Sequence, residues 1–151
     1  TAVVDMYAKC GALVKAMQVL DELPTRSAAT WNAIIAGYAH YGFGHEALNC
    51  FKKMQDEGFS PNDTTFVGIL KACGSIVAIN KGREIHAQID QSEWLKRDMV
   101  VGNALLDMYI KCGLLSKAQQ VLEELPIRDV VSWSSLIAGY ADWWLYPAWF
   151  C

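Results

Sequence analysis

The residue types that perform catalysis or bind metals occur in this sequence, but they are not spaced for that chemistry. There are five cysteines, and no two form a Cys-x-x-Cys pair, so neither a zinc site nor a redox pair is indicated. Cys73 and His86 are the nearest combination of nucleophile and base, yet no orienting carboxylate or oxyanion hole accompanies them. We therefore predict no catalytic residues, no metal and no cofactor, and we expect reduced thiols.

Composition sets further bounds. The chain has 151 residues, of which 53% are hydrophobic and 19% charged, so it can form a buried core and is not disordered. Its net charge of −3 excludes a strongly basic binder of nucleic acid or of membrane surfaces. No apolar run approaches the roughly 18 residues of a membrane span, so we predict no membrane partner. The chain begins with Thr1 and shows no targeting segment, and we expect it to be an internal piece of a longer protein.

An internal repeat is the main signal. The segment that begins at Ala2 returns, without gaps, 102 residues later at Ala104 and matches over about forty positions. Weaker sub-repeats within it each contain two apolar helical stretches; in one of them Ala47, Phe51 and Met54 share one helix face. Glycines near the end of each first stretch predict left-handed C-caps, and prolines follow the second stretches. The glycines are Gly11, Gly42, Gly74 and Gly113.

No sustained period-2 alternation occurs, so the pattern predicts an all-α fold. Tandem helix–turn–helix pairs stack into an α-solenoid, because each pair buries its apolar face on its neighbours. The register of the turns gives repeats at 28–62, 63–98 and 99–129, with lengths of 35, 36 and 31 residues. A partial repeat covers 1–27, another begins at 130–142, and 143–151 form an atypical apolar tail.

These lengths and three sequence phrases carry a resemblance. The phrases are WNAIIAGY from Trp31, PNDTTFVGILKAC from Pro61 and NALLDMYIKCG from Asn103. Over residues 1 to about 142 the chain resembles a plant pentatricopeptide repeat protein of the PLS subclass. The resemblance implies a right-handed superhelix that binds single-stranded RNA in chloroplasts or mitochondria, one base per repeat, and serves RNA processing or C-to-U editing. The H-x-E and P-C-x-x-C patterns of an editing deaminase are absent from this sequence.

The resemblance also implies which residues contact RNA. In the family, the fifth and last residues of a repeat face one base; the second residue is a wedge between bases, and a lysine at position thirteen neighbours the phosphates. The base-reading pairs would be Thr1 with Ser27, Asn32 with Asn62, Val67 with Asp98, and Asn103 with Asp129, and Ser134 is the fifth residue of the last repeat. The wedges would be Ala29, Thr64, Val100 and Val131, and the phosphate lysines Lys9 and Lys111. Val67 cannot hydrogen-bond a base, so its repeat is expected to accept any base.

Each of these residues also has a structural interpretation. Asp98 and Asp129 stand just before helices and would serve there as N-caps. Lysines near helix C-termini are favoured by the helix dipole. We expect six large side chains to pack between repeats, and expect Cys10 and Cys112 to be buried and inert. The six are Met6, Tyr7, Trp31, Met108, Tyr109 and Trp133.

The rival function is a protein–protein scaffold of tetratricopeptide-like type, which the acidic charge favours but the alternating repeat lengths do not. Partners expected beside organellar RNA are editing or processing factors that act in trans. Solenoid ends without capping repeats expose apolar surface, so the chain is also expected to self-associate.

Overall fold

A computed structural model describes residues 2–24, 26–92, 99–125 and 129–145, and within these ranges every regular element is an α-helix. In chain order the helices are α1 (Ala2–Lys9), α2 (Leu13–Glu22), α3 (Ala28–His40), α4 (Gly44–Asp56), α5 (Asp63–Ser75), α6 (Ile79–Gln91), α7 (Met99–Lys111), α8 (Leu115–Glu124) and α9 (Val130–Leu145). The all-helical prediction is confirmed. Helix α9 continues three residues past position 142, where the sequence predicted the change to an atypical tail.

The chain folds as two compact halves, residues 1–72 and 73–151. In the first half α1 packs on α2 and α3, and α3 packs on α4. Its core contains Leu20, Ile34 and Phe51, all fully buried. In the second half α7 packs on α6, α8 and α9, around Leu105, Tyr109 and other fully buried side chains. Burial of each such side chain stabilises the fold by about 1.5–3 kcal/mol, so the apolar faces of the pairs hold each half together.

The first helix of each repeat ends in the same turn. Ala12, Phe43, Ala78 and Leu114 each donate a backbone N–H to the carbonyl five residues earlier, as in a Schellman motif. The residue before each donor has a positive φ angle. It is glycine in three cases, Gly11, Gly42 and Gly113, as the sequence predicted.

The prediction for Gly74 was wrong, because this glycine lies inside α5 and the left-handed residue is Val77, at φ 54°. The reason for glycine at position 74 is close approach. A Cβ there would lie 3.2 Å from Lys111 Cδ, so the site favours the smallest residue. Val77 is a β-branched residue in the left-handed region, which costs roughly 1–2 kcal/mol.

We expect Val77→Gly to stabilise the chain by about 1 kcal/mol. Glycine adopts the left-handed conformation without a steric penalty, and its greater conformational freedom in the unfolded state offsets part of this gain. The reverse change, Gly42→Val, is the matched control: a Cβ at Gly42 meets nothing within 4 Å, so only backbone strain is altered. It should destabilise by a similar amount. Urea denaturation measures both, and equal stability of Val77→Gly and the original chain would contradict the expectation.

Burial of the six large side chains differs along the chain. Trp31, Met108 and Tyr109 are buried as predicted, and Tyr7 is half-buried. Met6 and Trp133 are 49% and 48% exposed, which corrects the prediction that they are packed. In the first half α5 covers α3, since a side chain at Gly68 would meet Ile35 Cγ2 at 3.2 Å. No later helix of the described residues covers α9 in this way, so its apolar face at Val130, Trp133 and Ile137 is exposed.

None of the helices in the described ranges is long and apolar enough to cross a membrane.

Candidate nucleic-acid interface

A groove in the first half brings together four of the residues predicted to read or separate bases. The groove is lined by Asn62, which directly precedes α5, by Thr64 in the first turn of α5, and by four residues of α3. The four are Ala29, Asn32, Ala33 and Ala36. The groove is open to solvent and has a volume of about 440 Å³. The predicted pair Asn32 and Asn62 therefore faces one space, flanked by the predicted wedges.

A closed set of hydrogen bonds holds this pair. Asn32 Nδ2 donates to Asn62 Oδ1 at 3.2 Å, and the hydroxyl of Thr65 donates to Asn32 Oδ1 at 2.5 Å. The backbone N–H of Thr65 also donates to Asn62 Oδ1 at 3.1 Å, so Asn62 is the N-cap of α5. Asn32 is only 8% exposed and Thr65 is fully buried. Asn62 thus caps a helix and also contacts Asn32, the asparagine predicted to read a base.

The second half repeats this arrangement around α7 and α9. The hydroxyl of Ser132 lies 2.5 Å from Asn103 Oδ1 and 2.9 Å from Asp129 Oδ1. The backbone N–H of Ser132 donates to the same Asp129 oxygen at 2.9 Å. The structural interpretation of Asp129 as an N-cap is therefore confirmed, and the cap lies beside the predicted reader.

These hydrogen bonds set the charge of the site. The bonds from the backbone and hydroxyl of Ser132 lower the pKa of the Asp129 carboxyl below its usual value. The carboxylate stays ionised at neutral pH, and an ionised carboxylate only accepts hydrogen bonds. A base edge that carries an N–H donor is therefore the favoured neighbour of Asp129.

The buried hydroxyls are the residues that sequence reasoning missed. Thr30, Thr65 and Ser132 each occupy the third position of a repeat and lie beside the last residue of the preceding repeat. Thr30 contacts Ser27, whose hydroxyl caps α3. The sequence signal is a Ser or Thr three residues after a capping Ser, Asn or Asp. This spacing is common at helix starts, which is why it did not mark a site.

The other predicted residues occupy the surface. The wedges Ala29, Thr64, Val100 and Val131 are exposed, as is Ser134, and Val67 is half-buried. Thr1 and Asp98 lie outside the described residues. Lys9 is exposed at the end of α1. Their roles toward RNA stay predictions.

The predicted phosphate lysine Lys111 is already in an ion pair. Its Nζ atom lies 2.9 Å from Asp107 Oδ2, one helical turn earlier on α7, and both side chains are about half exposed. Asp107 occupies the ninth position of its repeat, where Ala36 lines the groove of the first half. The second half thus carries an additional carboxylate that partly neutralises the lysine.

The described residues offer little for catalysis. Burial raises the pKa of Cys73 to about 12 and that of Cys50 to about 11, so both thiols stay protonated. His86 is buried, and its Nδ1 atom lies 2.7 Å from the hydroxyl oxygen of Tyr109. Burial lowers the pKa of His86. Cys112 is buried as predicted, but Cys10 is exposed. No cluster of three or more metal-binding side chains occurs in the described ranges.

Tandem helix pairs define a helical-repeat protein, and in three of them the first helix, α3, α5 or α9, is capped by the last residue of the preceding repeat. A family model described as "PPR repeat family" matches residues 26–75, and one described as "PPR repeat" matches 1–27 and 103–130. The chain belongs to the pentatricopeptide repeat family.

Relatives in Arabidopsis thaliana support this assignment. A pentatricopeptide repeat-containing protein named chloroplastic is 42% identical over 92% of this chain, which spans 22% of that protein. A second relative, named a putative mitochondrial pentatricopeptide repeat-containing protein, is 37% identical over 93% of this chain. The chain again spans 22% of that protein. The chain thus spans about a fifth of these relatives.

Solved structures show the fold. The pentatricopeptide repeat protein PPR10 in complex with an 18-nucleotide psaJ RNA element superposes with a TM-score of 0.78 at 23% identity. The match covers 96% of this chain and 22% of PPR10. PPR10 from maize gives a TM-score of 0.76 over 97% of the chain. The solenoid fold predicted from the sequence is thereby confirmed, while the handedness of the superhelix stays a prediction.

Proposed function

We propose that this chain is the RNA-recognition part of an organellar pentatricopeptide repeat protein of the PLS subclass. The observation that carries the proposal is the groove in which Asn32 and Asn62 face one space between Ala29 and Thr64. A carboxamide has donors and an acceptor and can pair with the edge of a base, and flanking side chains at the mouth of a groove suit an unstacked single strand. PPR10, whose fold the chain shares, is crystallised with RNA.

The proposed sequence is purine–pyrimidine–any–U, read 5′ to 3′ from the N-terminus of the chain. Thr1 with Ser27 reads a purine, since a short side chain leaves room for it. Asn32 with Asn62 reads a pyrimidine, and Val67 with Asp98 accepts any base. Asn103 with Asp129 reads U, whose ring N–H suits the ionised carboxylate of Asp129.

The chain acts as a binding module and not as an enzyme in this proposal. Editing or processing of the bound transcript is performed by factors that join in trans or by other parts of the protein. The compartment is the chloroplast or the mitochondrion, in keeping with the names of the Arabidopsis relatives.

Fluorescence anisotropy with short labelled RNAs tests the proposal. The complete chain, flanked by consensus repeats that cover its ends, should bind single-stranded RNA with the proposed sequence about tenfold more tightly than RNA with purines and pyrimidines exchanged. A well-placed hydrogen-bonded pair of side chain and base discriminates against the wrong base by about 1–3 kcal/mol, which justifies that ratio. A duplex of the same sequence is the control and should bind weakly. Equal affinity for all the RNAs, or none, would contradict base reading and favour the tetratricopeptide-like scaffold.

We expect Asp107→Asn to raise RNA affinity about two- to fivefold, because it frees Lys111 and removes a negative charge near the phosphates. The gain is limited, since an exposed ion pair is worth only about 0–1 kcal/mol. Asp56→Asn, at the exposed end of α4, changes the net charge equally and is the matched control. Binding at several salt concentrations should show a steeper salt dependence for Asp107→Asn alone. Equal effects of the two variants would show that Lys111 is not part of the RNA interface.

The chain without flanking repeats should self-associate through α9. Val130, Trp133 and Ile137 are 80%, 48% and 65% exposed and occupy one helix face. Ile137→Lys should therefore lower the average mass measured by light scattering at tens of micromolar. Ala138→Lys, at an exposed position of the same helix about 100° around it from Ile137, should leave the mass unchanged. A monodisperse monomer before any substitution would contradict self-association.

A further inference from the structure

The buried hydroxyl at the third position of a repeat contacts the asparagine predicted to read the preceding base. We propose that Thr65, the third-position hydroxyl of the first half, is a specificity-determining positioning residue. It fixes the orientation of the carboxamide of Asn32, so that an N–H group and not the carbonyl is presented to the base. Ser132 occupies the equivalent place beside Asn103 and Asp129 in the second half. The inference rests on the proposed function, since it concerns the same readers.

The hydrogen atoms of the first site can be assigned one by one. The Thr65 hydroxyl accepts the backbone N–H of Asn62 at 3.2 Å and has a single hydrogen to donate. Asn32 Oδ1, at 2.5 Å, is closer to it than Asn62 Oδ1, at 3.0 Å, and takes that hydrogen. Asn32 Nδ2 uses one hydrogen on Asn62 Oδ1. Its second N–H therefore remains for a ligand in the groove.

The opposite orientation of the carboxamide is unfavourable. Rotation by 180° would place Asn32 Oδ1 against Asn62 Oδ1, which already accepts the backbone N–H of Thr65. Two carbonyl oxygens would then face each other in a site where Asn32 is largely buried, without a hydrogen between them. The reader is therefore fixed as a donor, and a carbonyl oxygen on the base edge of a pyrimidine is the acceptor that it fits.

Capping uses the hydroxyl only in part, through its bond from the backbone N–H of Asn62. The cap of α5 uses the backbone N–H of Thr65, which every residue except proline retains. A valine fits this repeat position, because Val101, the third residue of repeat 99–129, is fully buried. The repeat before Val101 carries Val67 at the reading position, where there is no carboxamide to orient. In this sequence, a repeat with asparagine at the reading position is followed by a repeat with a hydroxyl at its third position. The repeat with Val67 at the reading position is followed by a repeat with Val101 at its third position.

Thr65→Val removes the hydroxyl at nearly constant shape and tests the inference in the complete chain flanked by consensus repeats. Preference for a pyrimidine over a purine at the second base should fall about fivefold. The thermal midpoint should also fall by a few degrees, because the backbone N–H of Asn62 and Asn32 Oδ1 each lose a hydrogen-bond partner. Thr65→Ser restores the hydroxyl and should restore the preference. Thr30→Val, which makes the same change beside Ser27, should leave selectivity at the second base unchanged.

A second measurement is independent of RNA. In the ¹⁵N spectrum of the free protein, the side-chain NH₂ signals of Asn32 should shift, and their hydrogens exchange faster, in Thr65→Val but not in Thr65→Ser. Unchanged selectivity or an equal loss of affinity for all bases in Thr65→Val would overturn the inference while RNA binding stands. An unchanged Asn32 NH₂ signal would overturn it even where no RNA binds, and failure of the original chain to bind any RNA would overturn the proposed function itself.

Discussion

Gly37→Val is expected to lower the free energy of unfolding by about 2–4 kcal/mol, which is a large part of the 5–15 kcal/mol typical of a natural domain. Gly37 lies where α3 crosses the α1–α2 hairpin. A Cβ atom at this position would lie 2.9 Å from Leu13 Cδ2 and 3.1 Å from Ala8 Cβ. Ala8 has no side-chain rotation with which to move away, so the two Cγ atoms of valine must push the helices apart.

The opposing effects are small by comparison. Valine is a better helix former than glycine by a few tenths of a kcal/mol, which offsets little of the cost. Ala36→Val, one residue earlier on the exposed face of α3, introduces the same side chain without the overlap. It should change stability by less than about 1 kcal/mol, so it separates packing from propensity.

Urea denaturation followed by circular dichroism measures both variants. Gly139, 102 residues later, has the same environment: a Cβ there would lie 2.7 Å from Ile110 Cγ2 and 3.1 Å from Leu115 Cδ2. Gly139→Val should therefore be destabilising as well. A change within about 0.5 kcal/mol for Gly37→Val, equal to that of Ala36→Val, would show that the helix crossing adapts without cost.

Local rules explain why so much of the fold could be predicted from the sequence. A helix pair is fixed by apolar spacing and by turn residues within about 35 positions, and both signals are present in repeated copies. The prediction failed at Gly74 and Val77, where a tertiary contact of α5 with Lys111 decided the role of the glycine. Sequence spacing contains no information on such an approach.

The candidate site, too, could be predicted from the sequence only in part. The family resemblance predicted Asn32 and Asn103 as base-reading residues, and the structure places each beside the last residue of its repeat through a shared hydroxyl. Thr65 and Ser132 were missed, because a hydroxyl three residues after a cap is the ordinary pattern of a helix start. Its contact with an asparagine about thirty residues earlier exists only once the two helices pack.

Asn103→Thr is expected to shift the preference at the fourth base from U towards G. Threonine is shorter than asparagine, so it withdraws the carboxamide and leaves room for a purine at this position. Asp129 keeps its helix cap and its ionised carboxylate, because the bonds that lower its pKa come from Ser132. The carboxylate can therefore accept the ring N–H of either U or G, and the size of the site decides between them.

The expected change is about tenfold in the ratio of the two affinities, which corresponds to about 1.4 kcal/mol. This lies within the about 1–3 kcal/mol by which one good hydrogen-bonded base contact discriminates between bases. Anisotropy with four RNAs that differ only in the fourth base measures this ratio, in the same flanked chain as before.

Two controls separate base reading from indirect effects. Cys112→Ala alters a thiol just after the end of α7 that is only 9% exposed. Because this thiol is assigned to packing, the substitution should leave base preference unchanged. Selectivity at the second base, which we assign to Asn32, should also be unaffected by Asn103→Thr, because the two asparagines lie in different halves of the chain. If Asn103→Thr left the preference for U intact while RNA binding persisted, Asn103 would not be the reader. The hydrogen bond from Ser132 would then serve only to pack α7 against α9, and the scaffold function would gain support.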